Sequence, residues 1–271
     1  MLSGRSALIT GSTQGIGLAT AKTLAVLGCN VMLNGFGEAA VIEHVRSEIE
    51  SHAMVCARYH GADVSKQNEI EDLYAATAKA FGAVDIVVNN AVSRSFAPLE
   101  QFPPDRWQMG LDVNLSAAFH LGRLALGGMR QRNWGRIVNL SSGFGLIGAP
   151  GRIDYITTKT GLIGLTRAIA MEVLDTGITC NAVCPGATFT PRQEGKIEAL
   201  MREGLDREAA LTRIKHDMAV ERFISPDSVA AVIAFLCSDA ARDINGVALP
   251  VDGGFTAGAM LRDPNWQGTA T

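Results

Sequence analysis

The chain has 271 residues, of which 47% are hydrophobic and 19% are charged. This composition excludes a predominantly disordered chain and predicts a large α/β domain with a substantial core. The formal net charge of -3 gives no electrostatic reason to expect nucleic acid or an anionic membrane surface as a partner. No apolar run approaches the roughly 20 residues of a membrane-spanning helix, and no signal peptide is recognisable, so we expect a cytoplasmic protein.

The cysteines are scattered through apolar runs at Cys29, Cys56, Cys180, Cys184 and Cys237. Their odd number and their spacing favour reduced core residues over disulfide bonds. Cys180 and Cys184 lack the second pair of cysteine or histidine ligands that a zinc site needs, so we expect no metal.

A glycine-rich segment follows the first predicted strand. An apolar run at 5–10 predicts that strand, and helical periodicity at 18–27 predicts the first helix. Gly11 would make the tight turn between them, Gly15 would let the backbone approach a pyrophosphate, and Gly17 would let helix and strand pack closely. The amides at the helix N-terminus would then face the phosphates. This motif alone is equally compatible with a tight turn that binds no nucleotide.

The second predicted strand ends at Asn34-Gly35-Phe36, and therefore without an acidic residue. In dinucleotide-binding folds an acid at this place binds the adenosine ribose. No arginine or lysine stands here or in the glycine turn, where Thr13 and Gln14 lie, so a 2′-phosphate would lack its charge partner. The sequence therefore predicts NAD as the cofactor rather than NADP.

The rest of the chain alternates between predicted strands and helices. Strands are predicted at 54–62, 84–89, 136–140, 178–184 and 247–251, and helices at 39–52, 68–81, 105–128, 155–174 and 226–238. This alternation predicts an α/β fold of the Rossmann type, a doubly wound parallel sheet with helices on both faces. We expect one domain over 1–271, with a helical insert at about 188–224 and a tail at about 255–271.

A Tyr155-x-x-x-Lys159 pair opens the helix after the fifth strand. Residues four apart share one face of a helix, so the ammonium of Lys159 would lie beside the phenol of Tyr155. A neighbouring ammonium favours the phenolate, which makes the pair a candidate general acid and base. Ser142 lies at the strand's end, where open α/β sheets place ligand groups. Such a pair also occurs by chance on surface helices, so its interpretation depends on the other motifs.

Together, these motifs resemble the short-chain dehydrogenase/reductase family along nearly the whole chain. The matching residues are Thr10, Gly11, Gly15, Gly17, Asn89-Asn90-Ala91, Asn114, Ser142, Tyr155, Lys159, Pro185-Gly186, Thr188, Thr190 and Asp252-Gly253-Gly254. Val92 replaces the glycine that usually follows Asn-Asn-Ala, which would crowd the turn near the ribose. Within the family, the chain is similar to bacterial 3-hydroxybutyrate dehydrogenases, notably over 33–40 and 114–120.

The resemblance implies hydride transfer between NAD and a secondary alcohol or ketone. Tyr155 would exchange a proton with the substrate oxygen, Lys159 would assist it and bind the nicotinamide ribose, and Ser142 would hold that oxygen. Asn114 would bind a water that relays protons to solvent, and Ser141 would face the other side of its strand. The implied cofactor contacts, besides Tyr155 and Lys159, are Gly11, Thr13, Gln14, Gly15, Ile16, Gly17, Phe36, Asp63, Val64, Asn90, Pro185, Gly186, Thr188 and Thr190.

The substrate side departs from the hydroxybutyrate dehydrogenases, which hold a small carboxylate with a glutamine, a histidine, a lysine and a second glutamine, near a tryptophan. The residues that align with these five are, in that order, Arg94, Phe144, Arg152, Lys196 and Ala187. The cations Arg94, Arg152 and Lys196, together with Arg192, favour an anionic hydroxy acid as substrate, since arginine suits carboxylate, sulfonate or phosphate. Ala187 leaves room for a substrate bulkier than 3-hydroxybutyrate. The alternative, that two or three of the cations are solvated surface residues, stays open.

Two other enzyme activities on this scaffold stay open: an NADPH-dependent 3-oxoacyl reductase, and a sugar or cyclic-alcohol dehydrogenase. A nucleotide-sensing protein without catalysis is disfavoured, because Tyr155, Lys159, Ser142 and Asn114 are all present. The resemblance also implies a homotetramer built from the helices of Asn114 and Tyr155 and from the last strand. The tail, with Trp266, would either fold across a neighbour's active site or be loose.

Overall fold

The structure is a computed structural model, and it describes residues 2–215, 220 and 222–258. Within these residues, seven parallel strands form one sheet in the order β3-β2-β1-β4-β5-β6-β7. The strands are β1 Ser6–Ile9, β2 Asn30–Asn34, β3 Ala57–His60, β4 Ile86–Asn89, β5 Gly135–Leu140, β6 Ile178–Pro185 and β7 Ala248–Val251. The predicted doubly wound parallel sheet is confirmed.

Helices cover both faces of this sheet. They are α1 Gly15–Val26, α2 Ala39–Ala53, α3 Gln67–Phe81, α4 Pro104–Leu111, α5 Ala117–Arg132, α6 Ile153–Glu172, α7 Pro191–Arg202, α8 Arg207–Lys215 and α9 Pro226–Cys237. One core, which includes Leu24 of α1 and Ile233 of α9, packs against one face of the sheet. A second core, which includes Leu73 of α3 and Leu121 of α5, packs against the other. Burial on both faces explains why β1 and β4, near the middle of the sheet, are mostly apolar, whereas the edge strand β3 is polar and partly exposed.

The strand order reverses between β1 and β4, because β1 pairs with β2 on one side and with β4 on the other. The connections from these two strands leave toward opposite faces, which opens a crevice at their carboxyl ends. The fold therefore places the glycine turn after β1 next to the Asn90 turn after β4.

The helix predicted at 105–128 is not one regular α-helix. A π-helical turn at Asp112–Ser116 separates α4 from α5 and contains Asn114. Such a turn inserts an extra residue into the helical repeat, a feature that recurs at functional sites. The prediction of an uninterrupted helix is wrong at this point, because the buried hydrogen bonds of Asn114 hold the wider turn and hydrophobic periodicity does not reveal them.

The segment predicted as a helical insert contains α7 and α8. Its two ends meet, because Phe189 N donates to Ile224 O at 3.0 Å and Ile224 N donates to Ala187 O at 2.8 Å. Arg207 of α8 pairs with Glu194 of α7 through its two terminal nitrogens, Nη1 and Nη2. The insert thus leaves and re-enters the fold at one place, beside the carboxyl end of β6. Trp266 lies outside the described residues.

Among the helices of the described ranges, none combines the length and the hydropathy that a bilayer crossing requires.

Candidate active site

A cleft of about 940 Å³ opens at the carboxyl ends of the strands, at the point where the strand order reverses. Its walls begin at the glycine turn after β1, pass the ends of β2, β4, β5 and β6, and end on α7 and on Phe255. Of the predicted site residues, all but Gly17 and Asn114 line this cleft. Gly17 packs against Gly11 and Asn114 is hydrogen-bonded to Ser93, and both of these partners line the cleft.

The glycine turn has a backbone that other residues would not adopt without strain. Gly11 and Gly15 have φ of +61° and +59°. At Gly17, a Cβ would lie 2.3 Å from Gly11 O and 2.5 Å from the side chain of Asn90. Gly17 is therefore required for the packing of the turn itself, as well as for the start of α1.

The N-terminus of α1 has its amide groups available to an anion. The helix begins at Gly15, its first turn holds no acidic residue, and the preceding Gln14 makes no side-chain capping hydrogen bond. The first amides of a helix lack intrahelical partners, and the helix dipole favours negative charge there. The turn and the helix start therefore fit a dinucleotide pyrophosphate.

Where an acidic residue would bind the ribose, the chain places a buried amide. Asn34 is 1% exposed and donates to His60 O at 3.0 Å and to Ala62 O at 2.9 Å. Thr13 donates to Phe36 O at 3.0 Å, which holds the glycine turn against the end of β2. Phe36 itself is 69% exposed at the cleft edge. The side chains of Asn34 and Thr13 therefore hold the backbone at this end of the cleft in place by hydrogen bonds.

The side chain of Asn90 also forms hydrogen bonds with the backbone. Its side-chain amide donates to Thr10 O at 2.9 Å and to Gly11 O at 2.8 Å. Because both amide hydrogens bind the glycine turn, a ribose could meet only the oxygen or the main chain of Asn90. Asn90, predicted as a cofactor contact, therefore offers a cofactor only this oxygen and its backbone groups.

Tyr155 and Lys159 face the cleft from the first turns of α6. They are 5% and 2% exposed, and Nζ of Lys159 lies 5.7 Å from the centre of the Tyr155 ring. Lys159 Nζ donates to Leu140 O at 2.5 Å. Burial, together with the charge of Arg94, lowers the pKa of Lys159 to about 7. The i, i+4 spacing thus brings the amine and the phenol into one buried corner.

Arg94 contacts the phenol directly. Its Nη2 donates to Tyr155 Oη at 2.9 Å, and its guanidinium carbon lies 4.3 Å from the ring centre. Arg94 was expected only as a substrate residue. Its position gives Tyr155 a second cationic neighbour, because Lys159 is the first.

The two serines at the end of β5 have different partners. Ser141 donates its hydroxyl hydrogen to Lys159 O at 2.7 Å. Ser142 Oγ accepts from Phe144 N at 3.1 Å, so its own hydrogen can turn toward a ligand. Ser141 was expected on the other side of the strand. Instead it also lines the cleft wall, because β5 ends there and the chain turns.

Asn114 binds protein groups through its side chain. Its Oδ1 accepts from Ser93 N at 2.7 Å, and its Nδ2 donates to Ser93 O at 2.9 Å and to Thr158 Oγ1 at 3.0 Å. Because both amide hydrogens are donated to protein groups, the predicted relay water could bind Asn114 only at the second lone pair of Oδ1 or at its main-chain groups. The side chain of Asn114 also fastens the loop before Arg94 to α6.

Asp154 fastens the same loop on the other side of Arg94. This carboxylate is 0% exposed, and its Oδ2 accepts from Ser95 N at 3.1 Å. Ser93 and Ser95, which flank Arg94, are therefore both held by buried side chains. Sequence reasoning missed Asp154, since an acid in the first turn of a helix is common and usually exposed.

The remaining predicted cations lie against aromatic rings. The guanidinium carbon of Arg152 is 4.8 Å from the Phe96 ring centre and 4.7 Å from that of Phe144. Arg192 stacks on Phe96 as well, at 5.3 Å. Lys196 follows four residues later on α7, on the same helical face. Three predicted substrate residues thus share one wall of the cleft.

These cations repel one another. Partial burial and the charge of Arg94 lower the pKa of Arg152 and of Arg192. Partial burial and the neighbouring arginines lower the pKa of Lys196. Among the described residues, none of the four cations forms a salt bridge. Their arrangement fits a bound anion, which would offset the repulsion.

Several lining residues were not expected from the sequence: Phe96, Met109, Val113, Arg213, Arg222 and Phe255. Phe255 packs edge-on against Phe144 with ring centres 5.4 Å apart, so the start of the tail closes one side of the cleft. No motif marks these positions, because the tertiary packing of loops and of α4, the π-helical turn and α8 brings them to the cleft.

Comparison with known proteins agrees with this geometry. Residues 11–256 match the family described as enoyl-(acyl carrier protein) reductase. The chain is 42% identical to a D-beta-hydroxybutyrate dehydrogenase of Cupriavidus necator, over 95% of this chain and 100% of that protein. It is 39% identical to a D-beta-hydroxybutyrate dehydrogenase of Rhizobium meliloti, over 93% and 99%.

Among solved structures, an actinorhodin polyketide ketoreductase with NADPH superposes with a TM-score of 0.85. It is 34% identical, over 93% of this chain and 97% of that one. The chain therefore belongs to the short-chain dehydrogenase/reductase family, and it is an NAD(P)-dependent oxidoreductase that acts on CH–OH groups.

Proposed function

We propose that the enzyme interconverts the secondary alcohol of an anionic hydroxy acid and the corresponding ketone, with NAD as the cofactor. One observation carries the proposal: Arg94, an anion-binding group, donates to Tyr155, the candidate proton-exchanging group, inside the cleft that begins at the glycine turn. A substrate that offers an acid group near its hydroxyl would meet both residues at once. The similarity to two D-beta-hydroxybutyrate dehydrogenases supports the same substrate class.

The proton chemistry is assigned to residues of this chain. Tyr155 takes the hydroxyl proton of the alcohol as the general base, and Ser142 donates its hydroxyl hydrogen to the substrate oxygen and holds it in place. Arg94 donates a hydrogen bond to the phenol oxygen of Tyr155 at 2.9 Å, and the buried amine of Lys159 lies beside the same ring. The bound dinucleotide supplies the hydride acceptor, so that alcohol and NAD⁺ give ketone, NADH and one proton.

The preference for NAD rests on the end of β2. Among the described residues that line the cleft there and in the glycine turn, none is cationic: Thr13, Gln14, Asn34, Gly35 and Phe36. A 2′-phosphate on the ribose would find no arginine or lysine to pair with. Comparing kcat/KM with NAD and NADP under the same conditions tests this preference, and a higher value with NADP would contradict it.

The alternative is an NADPH-dependent 3-oxoacyl reductase. The observation in its favour is the 34% identity to a polyketide ketoreductase that was solved with NADPH. A sugar or cyclic-alcohol dehydrogenase is a further member of the same class. These alternatives differ from the main proposal in needing no acid group on the substrate.

A parallel substrate screen tests the proposal. Hydroxy acids, their neutral methyl esters, sugars, cyclic alcohols and 3-oxoacyl thioesters are offered with NAD and with NADP, and turnover is followed at the nicotinamide absorbance. We expect the highest kcat/KM for a hydroxy acid with NAD, and at least about a tenfold loss for its ester, since charged hydrogen bonds are worth about 1.5–3 kcal/mol. Equal values for acid and ester would contradict an anionic substrate.

A further inference from the structure

The four cations predicted for the substrate side of the cleft form two groups with different neighbours. Arg94, the inner cation, comes from the loop after β4 and donates to Tyr155 at 2.9 Å. Arg152, Arg192 and Lys196, the outer cations, come from the N-terminus of α6 and from the first turns of α7. Arg152 and Arg192 lie over Phe96, whereas Arg94 lies over Tyr155. The two groups are therefore anchored on different rings, although all four residues line one cleft.

The outer cations are arranged so that their donors stay available. A guanidinium that lies over an aromatic ring binds the ring with its face, and its N–H groups point outward along its edge. Arg152 is held in this way between Phe96 and Phe144. Arg192 and Lys196 stand one turn apart on α7, so both reach the same side of the cleft. This arrangement suits an acid group with several acceptor oxygens.

A single acid group beside Tyr155 would lie against Arg94, whereas Arg152 and Arg192 lie over Phe96. Within the part of the chain that the structure describes, the outer cations have no carboxylate in salt-bridge contact. A monocarboxylate bound at Arg94 beside the reacting carbon would leave three like charges facing one another. A second acid group on the substrate would remove that repulsion, and Ala187 adds no bulk to the wall that such a substrate would pass.

We propose that the substrate is a dianionic hydroxy acid: Arg94 binds the acid group nearer the reacting hydroxyl, and Arg152, Arg192 and Lys196 bind a second carboxylate at the far end. This inference rests on the proposed function and narrows its substrate class. Under this proposal, any hydroxy acid can bind at Tyr155 and Arg94, whereas binding at the outer cations requires a second acid group on the substrate.

Matched substrates test the second charge. Malate and 3-hydroxyadipate are each compared with the monomethyl ester that keeps the carboxylate nearer the hydroxyl. The two carboxylates of 3-hydroxyglutarate are equally far from the hydroxyl, so this diacid is compared with its monomethyl ester at either one. We expect that for at least one chain length the diacid exceeds its ester at least about tenfold in kcat/KM, because the lost contact is a charged hydrogen bond. Equal values at all three lengths would overturn the proposal and leave the oxidation of simple hydroxy acids standing.

Variants assign the effect to the outer cations. Arg192→Gln is expected to lower kcat/KM for the preferred diacid about tenfold or more, with less than about a threefold change for its ester. Arg202→Gln, the same substitution on the exposed far end of α7, should change neither value. A loss of equal size for diacid and ester in Arg192→Gln would contradict a separate outer binding site.

A binding measurement distinguishes failure of this inference from failure of the proposed function. If no hydroxy acid is oxidised with NAD or NADP, the proposed function falls, and calorimetry with glutarate and monomethyl glutarate then decides the charge question. Glutarate binding at least about tenfold tighter than its ester, with the difference lost in Arg192→Gln, would support the dianion site on its own. Equal affinities would overturn it.

Discussion

Lys159 carries a titratable amine in a place that water hardly reaches. It is 2% exposed, and its ammonium donates to a single backbone carbonyl, Leu140 O. Burial and the nearby Arg94 lower its pKa from 10.5 to about 7. The protonated form thus costs the folded state free energy in the cofactor-free enzyme, which a bound dinucleotide and an anionic substrate would reduce through their negative charges.

The substitution Lys159→Met should reveal this cost as a pH-dependent gain in stability. Between pH 7 and 10.5 the unfolded chain binds more protons at this residue than the folded one, so the wild-type enzyme gains stability as the pH rises through this window. Relative to wild type, the variant should be more stable by up to about 5 kcal/mol at pH 6, and the difference should shrink toward pH 10.5. Denaturant unfolding without cofactor at pH 6 and pH 9 measures it.

The matched control is Lys79→Met on the exposed surface of α3, where a substitution should change stability by no more than about 0.5 kcal/mol. A stability difference for Lys159→Met that is the same at both pH values would show that the amine is not desolvated as described.

Local spacing was enough to predict that Tyr155 and Lys159 lie side by side, but not their contacts with the rest of the chain. Tyr155 and Lys159 lie one turn apart, so their shared face follows from helix geometry alone. The hydrogen bond between Arg94 and Tyr155 joins residues 61 positions apart, and that between Ser95 and Asp154 joins residues 59 apart. Such contacts depend on the course of a loop, which hydrophobic periodicity does not describe.

At the scale of the elements, the glycine turn tolerates little change. Adding a methyl group at Gly17 would bring a Cβ to 2.3 Å from Gly11 O. Gly17→Ala should therefore displace the turn, destabilise the fold by about 1–3 kcal/mol and raise the Kd for NAD at least about tenfold. Fluorescence titration and thermal unfolding measure the two effects.

Gly127→Ala is the matched control for that substitution. Gly127 is exposed within α5, and a Cβ there would meet nothing within 4 Å. Because glycine in a helix interior costs about 0.5–1 kcal/mol relative to alanine, this variant should be slightly more stable, with NAD affinity unchanged. Equal behaviour of the two variants would contradict the close packing around Gly17.

The π-helical turn marks the limit of element prediction from sequence. The apolar positions of 104–132 continue through Asp112–Ser116, so the pattern indicates one helix. What distinguishes the turn is the side chain of Asn114, whose partners Ser93 and Thr158 lie 21 and 44 residues away. Elsewhere the strand and helix bounds lie within three residues of the predicted ranges, and the strand predicted at 54–62 is shorter, at Ala57–His60.

At the scale of the whole molecule, apolar side chains remain on the surface of α5, which follows Asn114, and of α6, which contains Tyr155. Phe119 on α5 is 50% exposed, and Met171 on α6 is 67% exposed. Paired helices of this kind support the expectation of a homotetramer, since burial of such side chains drives association. We propose that α5 and α6 form an interface between copies of this chain.

Sedimentation velocity tests the assembly. The wild-type enzyme should sediment as four copies of the 28.7 kDa chain. Phe119→Glu should shift the distribution toward smaller species, because a charge would be buried without a partner. Val26→Glu, at a 64% exposed apolar position on α1, is the control and should leave the tetramer intact. A monomeric wild-type enzyme at micromolar concentration would contradict the proposed interface.

The central claim is that the phenol of Tyr155 exchanges the substrate proton in a cleft that binds the dinucleotide independently of it. Tyr155→Phe removes one oxygen from a residue that is 5% exposed, so the fold and the glycine turn should persist. The measurement is NADH formation with the best substrate of the screen, together with the Kd for NAD of the same variant. The account predicts a loss of turnover of at least about 100-fold with a Kd for NAD within about threefold of wild type; turnover close to that of the wild-type enzyme would contradict it.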